Sequence, residues 1–401
     1  MKRMWRSLSG RLIKLGISAG ISAMLFLILT GVITLLTVRL TDQQMVRRWN
    51  SEMGAAQISC FFSPNAEISQ DTIEGFEHAL DRKLQEASID QTSPNPGARL
   101  WADAYSADGT ISISSDRASI QADALGIGGD FFLFHQLLLL DGSYFSGNDL
   151  MKDYVVLDTD AAWQLFGSND VAGMTVNIGG RPHMVIGVVE RPEGRLYEAA
   201  GLDGMRVFVS YETLNAYGQC NGINHFEVIM PNPVKQFAYN YVQEQFGSQE
   251  REVEILENSS RYQLGNRLRL LLDFGTRSMN GKAIIYPYWE NVARGYEDIL
   301  ALLTLFQLLF VIYPSCLVLI WIVIRWKNKT WTARTVILWM QDKLQGTGDR
   351  YRAGKREKQQ SRLEDNPEEK SRAQRRKQRK EMKRQKRTER ETRRSAHKSA
   401  D

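Results

Sequence analysis

The chain has 401 residues, 43% of them hydrophobic and 24% charged, with three cysteines and a net charge of +5. That apolar fraction excludes a disordered polyelectrolyte, and three cysteines in this length exclude a disulfide framework. The charge is unevenly placed, +7 over residues 1–48, −17 over residues 49–324 and +15 over residues 325–401, so the pI near 9.0 averages an acidic middle with two basic ends and does not by itself indicate nucleic acid.

In chain order, a basic stretch over residues 1–14 leads into Leu15–Val38, a run without Lys, Arg, Asp or Glu that ends at Arg39. It is longer than the roughly 20 residues an α-helix needs to cross a bilayer. The run exceeds a signal-peptide h-region of about 7–15 residues and lacks a small-residue cleavage site, so we read it as a retained anchor. A second uncharged run, Ile299–Ile324, ends at Arg325. In lipid the backbone must satisfy its own hydrogen bonds, so both runs are predicted to be transmembrane helices. The basic flanks place both termini in the cytoplasm and the segment 39–298 outside it, because cationic ends stay inside.

The exported segment reads as α+β, in two lobes, without a repeating βαβ period. Ile73, Phe76, Leu80 and Leu84 recur at spacings of three and four and predict a helix over 70–87. Strands are expected at 99–105 and 110–114 around a Ser106–Gly109 turn, then at 154–157, followed by a helix over 160–166 stopped by Gly167. Asp158 is placed to cap that helix. Two strands, 174–178 and 183–189, flank Gly179-Gly180, a dipeptide suited to a tight hairpin. A strand at 206–210 runs into a helix at 211–217, and 226–230, 234–246 and 252–256 read as strand, helix and strand. The Gly-rich stretch Leu125–Asp130 departs from phosphate-loop spacing and reads as a turn.

Tyr286, Tyr288 and Trp289 fall where the chain approaches the second apolar run, the position of a headgroup-level aromatic belt or of a rigid connection between membrane and domain. Glu290 and Arg294 are four apart, a pair that supports a continuous helix from Trp289 onward. Trp289, Glu290, Arg294, Trp326 and Trp331 are the candidate coupling residues. Residues 325–348 mix cations with Trp, Ile and Leu and read as an amphipathic interfacial segment on the inner leaflet. Residues 349–401 form a basic cytoplasmic tail, disordered or a solvated helix, suited to anionic lipid more than to nucleic acid because no aromatic residue follows Tyr351 for base stacking.

Catalytic and cofactor motifs are missing: there is no G-x-S-x-G, no H-E-x-x-H and no phosphate loop ending in Gly-Lys-Ser/Thr. His78, His135, His183 and His225 read as ordinary surface or strand residues, so no metal ligand is assigned. Cys60 and Cys220 share the exported segment and are weighed as a disulfide pair, while Cys316 lies in the second apolar run.

Gly129-Asp130-Phe131-Phe132, Leu140–Phe145, Tyr154–Asp158, Ala161–Gly167 and Val171–Val189 follow one another as blocks that resemble the MacB-like periplasmic core domain. The likeness is clearest over about residues 118–215, and its most specific part is the last block, a turn, strand, Gly hairpin and strand ending Ile-Gly-Val-Val. The resemblance implies the FtsX/MacB class of ABC transporter permeases, which transmit motion from a cytoplasmic ATPase to an exported domain and supply no catalytic residues. It also implies a cytoplasmic ABC ATPase as partner, a second permease subunit and a dimer. Family members have three membrane helices after the core, where this sequence has one apolar run. The expected function is therefore a non-enzymatic, permease-like membrane subunit. The alternative is an ATP-independent exported scaffold that regulates cell-envelope enzymes.

Overall fold

The computed structural model describes residues 2–49, 54–89, 99–247, 252–277 and 283–327, with isolated positions beyond. Trp331, most of the interfacial segment and the basic tail lie outside the described residues. Two compact units are distinguished, Met1–Leu317 and Val318–Asp401. In the second, the Arg325 guanidinium lies 5.9 Å from the Trp321 ring centroid and Trp326 is exposed.

The first unit opens with α1 (Lys2–Arg39), a 3-10 turn at Thr41–Gln44 and the single turn α2 (Met45–Arg48). Strand β1 (Ala55–Phe62), helix α3 (Gln70–Glu86) and the long strands β2 (Ala102–Ser114) and β3 (Ser119–Gly129) follow. After α4 (Phe131–Phe134) come β4 (Leu138–Gly142), β5 (Tyr154–Asp158), α5 (Thr159–Phe166), β6 (Thr175–Ile178) and β7 (Arg181–Glu190). The series continues with α6 (Arg195–Ala199), β8 (Arg206–Ser210), α7 (Tyr211–Tyr217), β9 (Gln219–Cys220) and β10 (His225–Pro231). Helix α8 (Phe237–Phe246), β11 (Val253–Glu257), α9 (Leu264–Arg277) and α10 (Tyr288–Lys327) complete it.

Among the described residues all eleven strands join one mixed sheet, ordered β11-β1-β10-β2-β3-β8-β5-β7-β4, with β6 bridging β2 and β7 and β9 pairing with β2. One continuous sheet thus stands where two lobes were expected. The predicted hairpin at Ser106–Gly109 is corrected: β2 runs straight through it, because Ser106 pairs with both His225 and Ile127 and leaves no chain free to turn. Leu125–Gly129 is likewise strand, not turn. The glycines are needed there for space: a Cβ on Gly128 would fall 2.0 Å from the Tyr105 ring.

Side-chain alternation sorts residues to the two faces of the sheet. On one face Ala56, Ile58, Cys60 and Phe62 of β1 and Phe226, Val228 and Met230 of β10 pack with Ile73, Phe76, Leu80 and Leu84 of α3. Those four α3 positions are the ones the helical spacing predicted. The other core gathers Met45, Phe131, Phe134, Phe208 and Ile229 around Tyr288 and Trp289 of α10. Two local predictions hold in detail: the Asp158 carboxylate caps α5 through the Ala161 N–H at 2.8 Å, and Gly179 and Gly180 turn the β6–β7 hairpin at φ +59° and +77°.

Helices Lys14–Arg39 and Tyr288–Lys327 are long and apolar enough to cross a membrane. They meet antiparallel along a polar seam. Gln307 Nε2 donates to Thr30 Oγ1 at 2.9 Å, Ser22 Oγ donates to the Phe310 carbonyl at 2.9 Å, and the Ser18 and Tyr313 hydroxyls lie 2.8 Å apart. Pro314 sits inside α10 and has no N–H for the carbonyl of residue 310. Ser22 donates to that carbonyl from the neighbouring helix instead.

Candidate functional site

The strongest concentration of buried polar groups lies where α10 begins. Alternation again explains it: with the apolar side chains of β1 and β10 on one face, Gln57, Ser59, His225 and Glu227 must share the other. The strands are antiparallel and put Ser59 opposite Glu227. Oxygen Oε1 of Glu227 accepts from Ser59 Oγ at 2.6 Å, Gln57 Nε2 at 2.7 Å and Asn258 Nδ2 at 3.3 Å. Its second oxygen, Oε2, lies 3.1 Å from Nε2 of His135 and 3.9 Å from Nε2 of His225.

His135 arrives from another part of the chain. Gly129 turns β3 into α4 at φ +61°, where a Cβ would meet the Asp103 carbonyl oxygen at 2.6 Å, and His135 caps the end of α4. Asp42 Oδ1, from the link between α1 and the sheet, faces His135 Nδ1 at 3.8 Å. That link is held down by Arg48 Nη2, which donates to the Leu133 and Phe134 carbonyls at 3.0 and 2.9 Å. The Trp289 ring covers the group, 4.3 Å from His135 and 5.1 Å from His225 between centroids.

Electrostatics separate the three titratable groups. Burial disfavours charge on all of them, yet the neighbouring carboxylates Asp42 and Glu227 push His135 up to about 9. Burial takes His225 down to about 3. Glu227, despite its burial, is held below the usual carboxylate range by His135. His135, His225 and Glu227 each offer a ligand atom, all within 4.8 Å of one another, and among the described residues they form a group that could hold a metal ion.

Asn258 joins this group to a second one, since its Oδ1 accepts from Arg261 Nη1 at 3.3 Å. Arg261 grips Glu290 of α10 through two hydrogen bonds of 2.7 and 2.8 Å and reaches Glu297 at 2.5 Å. Arg294 donates to Glu290 at 2.7 Å and to Glu254 of β11 at 2.6 Å, with its guanidinium 3.7 Å from the Tyr286 ring centroid. Further along α10, Arg267 of α9 donates to Thr304 at 3.2 Å. The first turns of α10 are therefore fastened to β11 through Arg294 and, through the bidentate Arg261–Glu290 pair, to the chain that follows β11; such charge-assisted pairs fix orientation as well as position.

Several expectations change here. Trp289 is not a headgroup-level ring: at 3% exposure it is a core residue, drawn in by Phe131 and the histidines. Glu290 and Arg294 do pair at i,i+4, but Glu290 is also buried against Arg261. Trp326 is exposed at the far end of α10. Cys60 and Cys220 are both free thiols, Cys60 buried in the core under α3 and Cys220 half-buried in β9, which corrects the disulfide pairing. In the sequence the four histidines read as ordinary surface or strand residues, whereas in the fold His135 and His225 are buried together against Glu227. Part of that signal was in the sequence, because His225 and Glu227 are two apart on a strand and must face the same way.

The sequence profile of the MacB-like periplasmic core domain matches residues 12–239. The chain belongs to that family. The macrolide export ATP-binding/permease protein MacB of Chromobacterium violaceum is 30% identical over 110 residues, 27% of this chain and 16% of that relative's length. The periplasmic region of MacB from Actinobacillus actinomycetemcomitans is 17% identical at TM-score 0.34, covering 52% of this chain and 91% of that one. The extracellular domain of the noncanonic ABC-type transporter YknZ from Gram-positive bacteria gives 18% identity and TM-score 0.33, covering 50% and 99%. The family is one of ABC transporter permeases, and the two apolar helices of this member fit a membrane location.

Proposed function

We propose that this MacB-like core domain protein is a permease-like membrane subunit that couples a separate cytoplasmic ATPase to its own extracytoplasmic domain, without catalysis of its own. Its two helices cross the cell membrane with both termini inside, and the sheet lies outside. The single observation that carries the reading is the rooting of α10. One helix starts among core residues, at Tyr288 and Trp289, and continues into an apolar stretch with exposed Leu302, Leu305 and Leu309. Because Glu290 is clamped by Arg261 and Arg294, a tilt of α10 has to carry β11 and the adjoining strands with it. A second permease subunit, a dimer and lipid contact through the basic tail belong to the same proposal.

Affinity capture of the full chain from detergent-solubilised membranes tests this reading. A co-purifying ATPase with a phosphate-binding loop, whose turnover changes when the chain is present, is the expected result. Co-purification of a cell-envelope hydrolase with no ATPase would overturn it in favour of the scaffold reading.

A further inference from the structure

The polar group beneath Trp289 poses an accounting problem. Both ring nitrogens of His225 are buried and make no hydrogen bond, while the buried ring nitrogens of His135 face carboxylate oxygens, Glu227 Oε2 at 3.1 Å and Asp42 Oδ1 at 3.8 Å. A buried polar atom left without a partner has given up its hydration for nothing and is destabilising. A proton shared by His135 and Glu227 would answer two of these atoms and leave His225 unanswered. A cation placed among the three ligand atoms answers Nε2 of both rings and Oε2 at once.

We propose that His135 Nε2, His225 Nε2 and Glu227 Oε2 form a binding site for a single zinc ion. Two imidazoles and a carboxylate are a zinc donor set, with bonds of about 2.0–2.2 Å in a tetrahedral arrangement. Such bonds put neighbouring donor atoms roughly 3.4 Å apart, and Oε2 lies 3.1 and 3.9 Å from the two nitrogens. The surroundings are those of a built site. Glu227 is oriented by three donors on Oε1, which leaves Oε2 for the ion. Asp42 faces Nδ1 of His135, the position from which a carboxylate selects the tautomer that ligates through Nε2. Three ligands leave a fourth position for water. Burial under Trp289 and the Thr41–Arg48 link makes the role structural. The ion would tie β10 to the end of α4 beside the root of α10. The inference does not rest on coupling to an ATPase.

The test uses the full-length, tag-free chain in detergent, stripped with a chelator and titrated with zinc or cobalt(II). One zinc per chain, a rise in Tm reversed by chelator, and the visible absorption of four-coordinate cobalt are expected. His225→Ala and Glu227→Gln should each weaken zinc binding at least 100-fold while keeping the near-ultraviolet circular dichroism of the stripped parent. No cobalt band and no retained zinc in the parent chain would overturn the site, and this result needs no variant to fold. Undiminished zinc binding by both variants would overturn it equally.

Discussion

Arg261 holds Glu290 in a two-point grip, Nη1 to Oε2 at 2.7 Å and Nη2 to Oε1 at 2.8 Å, with the two side chains only 7% and 2% exposed. Removing one partner of a buried pair strands the other charge and costs about 3–5 kcal/mol, whereas replacing both with apolar groups of similar size costs much less. Glu290→Gln should therefore destabilise the domain by about 3 kcal/mol. Arg261→Met combined with Glu290→Leu should recover part of the loss, limited by the claims of Glu297 and Arg294 on the same groups. Denaturant unfolding of the parent, Glu290→Gln, Arg261→Met, Glu290→Leu and the double variant checks this, and a double variant less stable than each single variant would contradict it.

If α10 carries motion, its continuity near the root matters more than the volume of any one side chain. Val292 is 3% exposed, one turn into the helix. Val292→Pro should abolish coupling, since an interior proline costs about 3 kcal/mol locally. Val292→Ala trims the same core contact but keeps the helix, and should retain most activity. Equal activity of the inserted alanine and proline variants would sink the rod.

The Ser22–Phe310 hydrogen bond answers the carbonyl that Pro314 cannot. Ser22→Ala should weaken the pairing of α1 and α10 by about 1 kcal/mol, within the range for such bonds in membranes. In a Pro314→Ala background the helix can use its own N–H, so Ser22→Ala should cost less than half as much. Disulfide trapping of cysteines placed at Ser18 and Tyr313, compared across the four backgrounds, reads the effect.

Burial, with Glu77 and then Asp130 adding like charge, holds the Asp103 carboxyl well above the usual carboxylate range. Because the folded value is the higher one, the folded state binds this proton more tightly. Stability is then lost as pH rises from the unfolded value through the folded one. Asp103→Asn should be more stable than the parent at neutral pH by about 1 kcal/mol, and the two should converge below about pH 4. Tm measured against pH checks both the sign and the convergence.

The proposed topology predicts a labelling pattern. Cys220, half-buried in β9, should react with a membrane-impermeant maleimide in intact cells, whereas buried Cys60 should react only after unfolding. A cysteine at Ser361 should label only once the membrane is broken. Labelling at 361 in intact cells would reverse the assigned orientation.

The two long apolar helices were legible in the sequence because they depend on run length, a property of contiguous chain. The same holds for α3, the Asp158 cap and the Gly179-Gly180 hairpin, where every interacting group lies within a few residues. The Ser106–Gly109 stretch misled because a turn-like tetrapeptide will stay extended when ladders on both sides claim its backbone.

What lay beyond local reading was the site. Glu227 meets Ser59 across 168 positions, and Gln57 across 170. Trp289 is apolar enough for a membrane surface and for a core alike, and only the closure of α10 onto α4 and β10 decided between them. Sequence spacing determined which residues share a strand face or a helix stripe, since that follows from backbone period alone. Tertiary pairing decided which faces meet, because burial of a polar side chain is tolerated only where a partner from elsewhere in the chain arrives to satisfy it.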